Sequence, residues 1–336
     1  MSRLCDEHKV NLSGKRAVQA QVMTLLLVLG LNIVAKSVLD SRYSGAVNFL
    51  FGEKWKLLQS QTQPSEVLVL GDSSGAFCFE SDYLSRSKDM RCLNIATVGF
   101  ANIVNDVWML NTYLEKFAPP KVVFLIKHVS LWSWNNPDAA TLASSDLPYG
   151  FWRTFSPAIT MPWNEKLRFI NTRYNILYSK KAVIAGLLRP WHRSWTLQGL
   201  SASGYPQMEG VTLPAGKNDE MGPILSARQP FRISEMNLRA LQDLQSICAA
   251  NNITLVICNA PVYRETSEDP YFPEFLSQAK TSLETFATPE KNTLTIFPEP
   301  MLFDRNEGYD RVHLRPDAAR RYTDAILKSL SEAVKK

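Results

Sequence analysis

Three short apolar runs constrain this chain more than any other feature. They are VLVLG at 67–71, VVFLI at 122–126 and ITLVIC at 253–258. None alternates with polar residues, so each reads as a strand buried on both faces, the pattern of a parallel sheet covered by helices. RCLNIATVGF (91–100) adds a strand with its following loop, and TLTIF (293–297) a short one. Helical spacing fills the intervals. Residues 102–117 carry apolar positions at 104, 108, 110, 113 and 117 before Ala118-Pro119-Pro120 stops them. Ser234 is placed to cap a helix with Leu238, Leu241, Leu244 and Ile247 on one face. A further helix is expected over 273–286, and the last from Pro316 to the closing lysines, where positive charge suits a helix C-terminus. The alternation predicts a doubly wound α/β domain with a mostly parallel sheet.

The N-terminus adds a second constraint. Residues 17–35 carry no charge and are strongly apolar from Val22 onward. Nineteen residues give about 28 Å of helix, close to the roughly 30 Å of bilayer hydrocarbon. Arg3, Lys9, Lys15 and Arg16 precede the segment, which argues for a short cytoplasmic end and an outer bulk. A cleaved signal peptide is the first competitor, but no clean small-x-small site follows and Lys36 comes at once. A buried helix is the other alternative. The expected organisation is therefore a tail over 1–16, an anchor over 17–35, a connector over 36–64 and a domain over 65–334.

That domain is interrupted, because residues 131–230 lose the strand–helix alternation. Six of the eight tryptophans fall in this insert, at 132, 134, 152, 163, 191 and 195. Residues 161–195 hold Lys166, Arg168, Arg173, Lys180, Lys181, Arg189 and Arg193 against Glu165 alone. Residues 197–230, rich in Gly, Pro and Ser, read as an irregular loop or lid. The tryptophans suit packing onto the core, a membrane-facing surface or a carbohydrate wall, and composition leaves the three open.

Charge and histidine count exclude other classes. A net +5 without an arginine or lysine stripe does not describe a nucleic-acid binder. The four histidines, His8, His128, His192 and His313, are far apart, and no HExxH or Cys-x-x-Cys accompanies them. No metal centre is expected. No GxxxxGK[ST] or dinucleotide-type GxGxxG occurs either, so no cofactor is implied. Five cysteines in this length do not make a disulfide framework, and Cys258, ending an apolar run, reads as a buried thiol.

Two short segments carry chemistry. Gly71-Asp72-Ser73 follows the first strand directly, and a parallel sheet binds ligands at this carboxyl edge. Asp310-Arg311-Val312-His313 stands just before the last helix. Serine becomes a nucleophile at neutral pH when an imidazole takes its proton, and a carboxylate on the other ring nitrogen orients that imidazole. Ser73, His313 and Asp310 form such a set. Each segment alone also describes an ordinary turn.

The segments VLVLGDSSG (67–75), Asn94-Ile-Ala-Thr-Val-Gly99 and DRVHLRPDA (310–318) together resemble the first, second and last blocks of the SGNH/GDSL-type hydrolases. The resemblance implies a flavodoxin-like sheet, Ser73 as nucleophile, His313 as base and Asp310 as its partner. It also implies an oxyanion hole from the backbone N–H groups of Ser73 and Gly99. The asparagine of the family's third block is missing: the sequence there is LIKHVSLW (125–132), where His128 is a candidate donor. Asn102 and Asn105 lie nearby in sequence, with no direction assigned. His192 in the insert and His8 in the tail are expected to be non-catalytic.

Among such hydrolases the layout is most similar to membrane-anchored members that acylate teichoic acid or envelope polysaccharide. It implies O-acyl esterase or O-acyltransferase chemistry, with an acyl-enzyme on Ser73. The expected partners are an acylated envelope polysaccharide, the membrane and an integral membrane acyltransferase. A broad extracytoplasmic carboxylesterase or lipase, and a non-catalytic polysaccharide-binding or assembly protein, are the alternatives.

Overall fold

A computed structural model describes residues 2–39, 46–134, 163–179, 196–209, 221–287, 292–296 and 300–333. In chain order the first elements are α1 (Ser2–Leu39), α2 (Ala46–Ser60), β1 (Val67–Gly71), α3 (Ser73–Cys78) and α4 (Ser81–Lys88). β2 (Cys92–Asn94), α5 (Asn102–Leu114) and β3 (Val122–Lys127) follow. The insert supplies α6 (Trp163–Tyr174), α7 (Ile176–Ser179), β4 (Thr196–Leu200), β5 (Pro206–Glu209) and α8 (Gly222–Ser226). The remaining elements are α9 (Glu235–Ala250), β6 (Thr254–Asn259), β7 (Val262–Tyr263), α10 (Phe272–Glu284), β8 (Thr293–Ile296), β9 (Leu302–Phe303) and α11 (Pro316–Ala333).

The central sheet has five strands in the order β2-β1-β3-β6-β8, every neighbouring pair parallel. This is the mixed α/β arrangement that the apolar runs require. Val67–Leu70, Val123–Ile126 and Leu255–Cys258 are buried, as strands covered on both faces must be. The register pairs Gly71 with Ile126 and Ile126 with Cys258, so the central strands end together at one edge. The expected Ser234 cap is present, its side chain accepting from Asn237 N. Cys78, Cys92, Cys248 and Cys258 are buried free thiols.

Two parts differ from the sequence-based expectation. Within the supposed connector, α2 buries Leu50, Phe51, Trp55 and Leu58 in the core, and Trp55 donates its indole N–H to Asn105. The short apolar stretches punctuated by Lys and Glu are one amphipathic helix. The supposed loop from 197 begins as a β-hairpin, β4–β5, whose turn is tied to the sheet edge by Asn94 N donating to Ser203 O at 2.7 Å. A single buried side chain joins these two parts. Lys54 of α2 donates to Asn94 O at 2.7 Å, Asn94 Oδ1 at 3.0 Å and Gly204 O at 2.7 Å. Three ammonium protons meet three oxygens, although burial still pulls this amine well below its ordinary pKa. The rest of the 197–230 stretch includes 210–220, which lie outside the described residues.

Helix α1 contains one segment, Arg16–Ala35, long and apolar enough to cross a membrane, and none of it is buried by the rest of the chain. Its polar side chains are satisfied locally: Thr24 donates to Ala20 O at 2.8 Å and Asn32 to Val28 O at 3.1 Å. Such back-bonding lets polar residues sit in an otherwise apolar helix.

Candidate active site

β1 turns into α3 at a residue that must be glycine. Gly71 has φ +125°, and a Cβ there would lie 1.8 Å from Ile126 O. Asp72 next caps α3 and is fully buried. One carboxylate oxygen accepts from Ser74 N at 2.8 Å and the other from His128 N at 2.8 Å. Asp72 therefore clamps the turn to the end of β3, a positioning role. Ser73 is the first residue of α3 and half-buried. Its N–H belongs to the first turn, where a helix offers no internal acceptor.

The segment before α11 folds back on itself, with Tyr309 N donating to His313 O at 2.7 Å. Asp310 Oδ1 accepts from the backbone N–H groups of Val312 and His313, both at 2.8 Å. Its Oδ2 meets His313 Nδ1 at 2.7 Å. Burial alone would raise the Asp310 pKa, but the neighbouring imidazole and these hydrogen bonds bring it down to about 2. Asp310 is thus a carboxylate at neutral pH, suited to hold a proton on Nδ1 and leave Nε2 as the ring's acceptor.

This segment packs on α3. The His313 ring lies 4.7 Å, centroid to centroid, from that of Phe77, and Cys78 Sγ approaches Val312 O at 3.8 Å. Phe77 is four residues after Ser73 and on the same helical face, about 6 Å along the axis. Ser73 is more than 230 residues from Asp310 and His313 in sequence, yet they belong to two segments in direct contact.

The loop after β2 flanks the same turn, with Thr97 N donating to Gly71 O at 2.9 Å. Gly99 starts a short 3-10 turn, and its N–H is again a first-turn donor. Asn102 is the residue that motif reading left without a direction. It is buried, has φ +58° with ψ 178°, and among the described residues neither Oδ1 nor Nδ2 has a hydrogen-bond partner. That backbone region belongs essentially to glycine and costs about 1–3 kcal/mol for other residues. One turn further along α5, Asp106 Oδ1 accepts from Gly71 N at 2.9 Å. Asn102 lies four residues before Asp106, at the N-terminal start of α5. Asn105 is engaged elsewhere, donating to Thr97 Oγ1 and accepting from Trp55. His128 is buried at the end of β3, with Nδ1 2.7 Å from Ser130 Oγ.

Asp106 also makes the fold pH-dependent. Burial raises its pKa from 3.8 to about 7, with Lys127 and the Gly71 N–H opposing the rise only in part. Between those values the native state holds more proton than the unfolded chain, so this group's contribution falls as pH rises from about 4 to about 7. Asp106→Asn removes the titration. The thermal midpoint of the variant should gain on the wild type as pH increases through that window; parallel curves would contradict this assignment.

Among the described residues no cluster of His, Cys, Asp and Glu is arranged to hold a metal ion. His8 and His192 contribute nothing that the structure describes at this site: the side chain of His8 and the whole of His192 lie outside the described residues. The fold and the site define a mixed α/β protein with an acid–histidine pair packed on Phe77 of the helix that begins at Ser73. No family model matches the chain, and no curated protein matches it.

Proposed function

We propose that the chain is a membrane-anchored serine O-acyl esterase or O-acyltransferase of the SGNH/GDSL type, acting on an envelope polysaccharide outside the cytoplasmic membrane. The observation that carries this reading is the Asp310–His313 pair seated on the helix that begins at Ser73. Ser73 Oγ attacks the ester carbonyl while His313 Nε2 accepts its proton. The tetrahedral oxyanion collapses, the alcohol leaves with that proton, and the acyl group remains on Ser73. Water, or a sugar hydroxyl, then gives its proton to His313 and takes the acyl group. The α1 segment serves as the anchor, with its basic end inside.

Three donors serve the oxyanion: Ser73 N–H, Gly99 N–H and the Asn102 side-chain amide, the last in place of the asparagine missing after β3. Asn102 suits this role better than His128, since its amide is buried and unpartnered among the described residues, whereas His128 Nδ1 is engaged by Ser130. Asn102→Gly deletes the amide and relieves the backbone together. Its expected effect is opposite in sign on two readouts: kcat falls about 10²–10³-fold with KM little changed, while stability rises by about 1 kcal/mol. A fall in stability with kcat retained would show the amide to be structural.

The activity is tested with the full-length chain in detergent or vesicles, supplied with O-acetylated polysaccharide. Free acetate and acetyl transferred to an added glycan are measured separately, with Ser73→Ala as control. Acetate release or transfer that depends on Ser73 supports the reading. Equal activity in the alanine variant contradicts it.

A further inference from the structure

Helix α6 leaves a stripe of large apolar side chains uncovered. Trp163, Leu167, Ile170 and Tyr174 are 70%, 44%, 39% and 67% exposed. Their spacing of four, three and four residues confines them to an arc of about 60° on one helical face. Phe169 and Thr172, on the opposite side, are the residues α6 buries. By the same helical geometry Lys166 and Arg173 border the stripe along one side. Apolar ridge, aromatic ends and flanking cations are the composition of a helix lying in a membrane interface.

The neighbouring element points to the same partner. Just after α6, Leu177 N in α7 donates to Asn32 Oδ1 of α1 at 3.3 Å. Asn32 sits in the last turn of Arg16–Ala35, the segment apolar enough to cross a bilayer. The C-terminal end of α6, three residues before Leu177, is thus tied to the C-terminal end of that segment, which on the proposed topology is its outer end.

We infer that α6 is a second membrane attachment, lying in the surface of an anionic bilayer with Trp163, Leu167, Ile170 and Tyr174 inserted. Lys166 and Arg173 meet lipid phosphates along one side. The inference rests on α1 being the anchor. A spanning helix alone fixes the domain's distance from the membrane; an interfacial helix beside it also fixes its tilt.

The test uses the full-length chain in vesicles of phosphatidylcholine and phosphatidylglycerol, with and without bromine on the acyl chains. Trp163→Phe isolates the emission of Trp163 as a difference from wild type. Brominated lipid should quench that difference by more than about half, because an interfacial apolar face sits about 5–10 Å into the headgroup and acyl boundary. Leu167→Glu with Ile170→Glu should abolish the quenching while the protein still floats with the vesicles. Unquenched Trp163 emission from vesicle-bound protein overturns the inference. A blue-shifted but unquenched signal also overturns it, and assigns the face to a second copy or another protein. If the wild type fails to float, the anchor itself falls, an outcome distinct from the loss of α6 insertion alone.

Discussion

Ser73→Ala should lower ester turnover by about 10⁴- to 10⁶-fold, and His313→Ala should do nearly the same. In the proposed mechanism both side chains act in one proton-coupled step, so removing the second after the first has little left to remove. The Ser73→Ala/His313→Ala double variant is therefore expected at the rate of the worse single variant, not at the product of the two losses. Residual activity in either case comes from the oxyanion donors and substrate binding. Initial rates on an activated acetyl ester, with burst-phase amplitude recorded, measure this directly. Losses that multiply would mean that the two residues act independently. Ser73 is half-buried at a helix start, so the thermal midpoint should move little and the rate effect is read on folded protein.

The second large effect is on the fold. Gly71→Ala places a methyl group 1.8 Å from Ile126 O, at a backbone angle of φ +125° that L-residues rarely adopt. Neither strand can yield: β1 and β3 are buried neighbours, and Asp72 N donates to the same Ile126 oxygen at 3.3 Å. Separating them breaks the central pairing of the sheet, and a loss above about 4–5 kcal/mol consumes most of a typical domain's 5–15 kcal/mol. The variant should fail to give a cooperative unfolding transition. Gly199→Ala is the matched control, since a Cβ there meets nothing within 4 Å. A folded Gly71→Ala protein with a near-native midpoint would contradict the geometry given for this turn.

Legibility in the sequence followed the range of the interactions. The three buried strands, the Ser234 cap and the Gly71-Asp72-Ser73 turn were visible because each depends on neighbouring residues. Asp310 and His313 were visible for the same reason: their hydrogen bond closes across three residues. Helix α2 and the β4–β5 hairpin were not. Their places are fixed by long-range contacts, among them those of Lys54, whose acceptors lie 40 and 150 residues away. Burying a lysine on three oxygens is also a solution that composition discourages, since an isolated lysine ordinarily stays in water. Asn102 shows a different limit. Its place after Gly99 could be read, but its strained backbone and an amide without a partner among the described residues exist only once α5 is docked on β1. The tryptophans of the insert likewise divide only in three dimensions: Trp132 is core, while Trp163 is left uncovered by the rest of the chain.

The central claim is that Ser73 becomes a nucleophile because His313 takes its proton. The most direct measurement traps the acyl-enzyme or a phosphonylated serine on the full-length chain, quenches in acid and maps the adduct by peptide mass spectrometry. The adduct should form rapidly on Ser73 in the wild type and be lost in His313→Ala. An adduct on another residue, or equal labelling of Ser73 with and without His313, would contradict it.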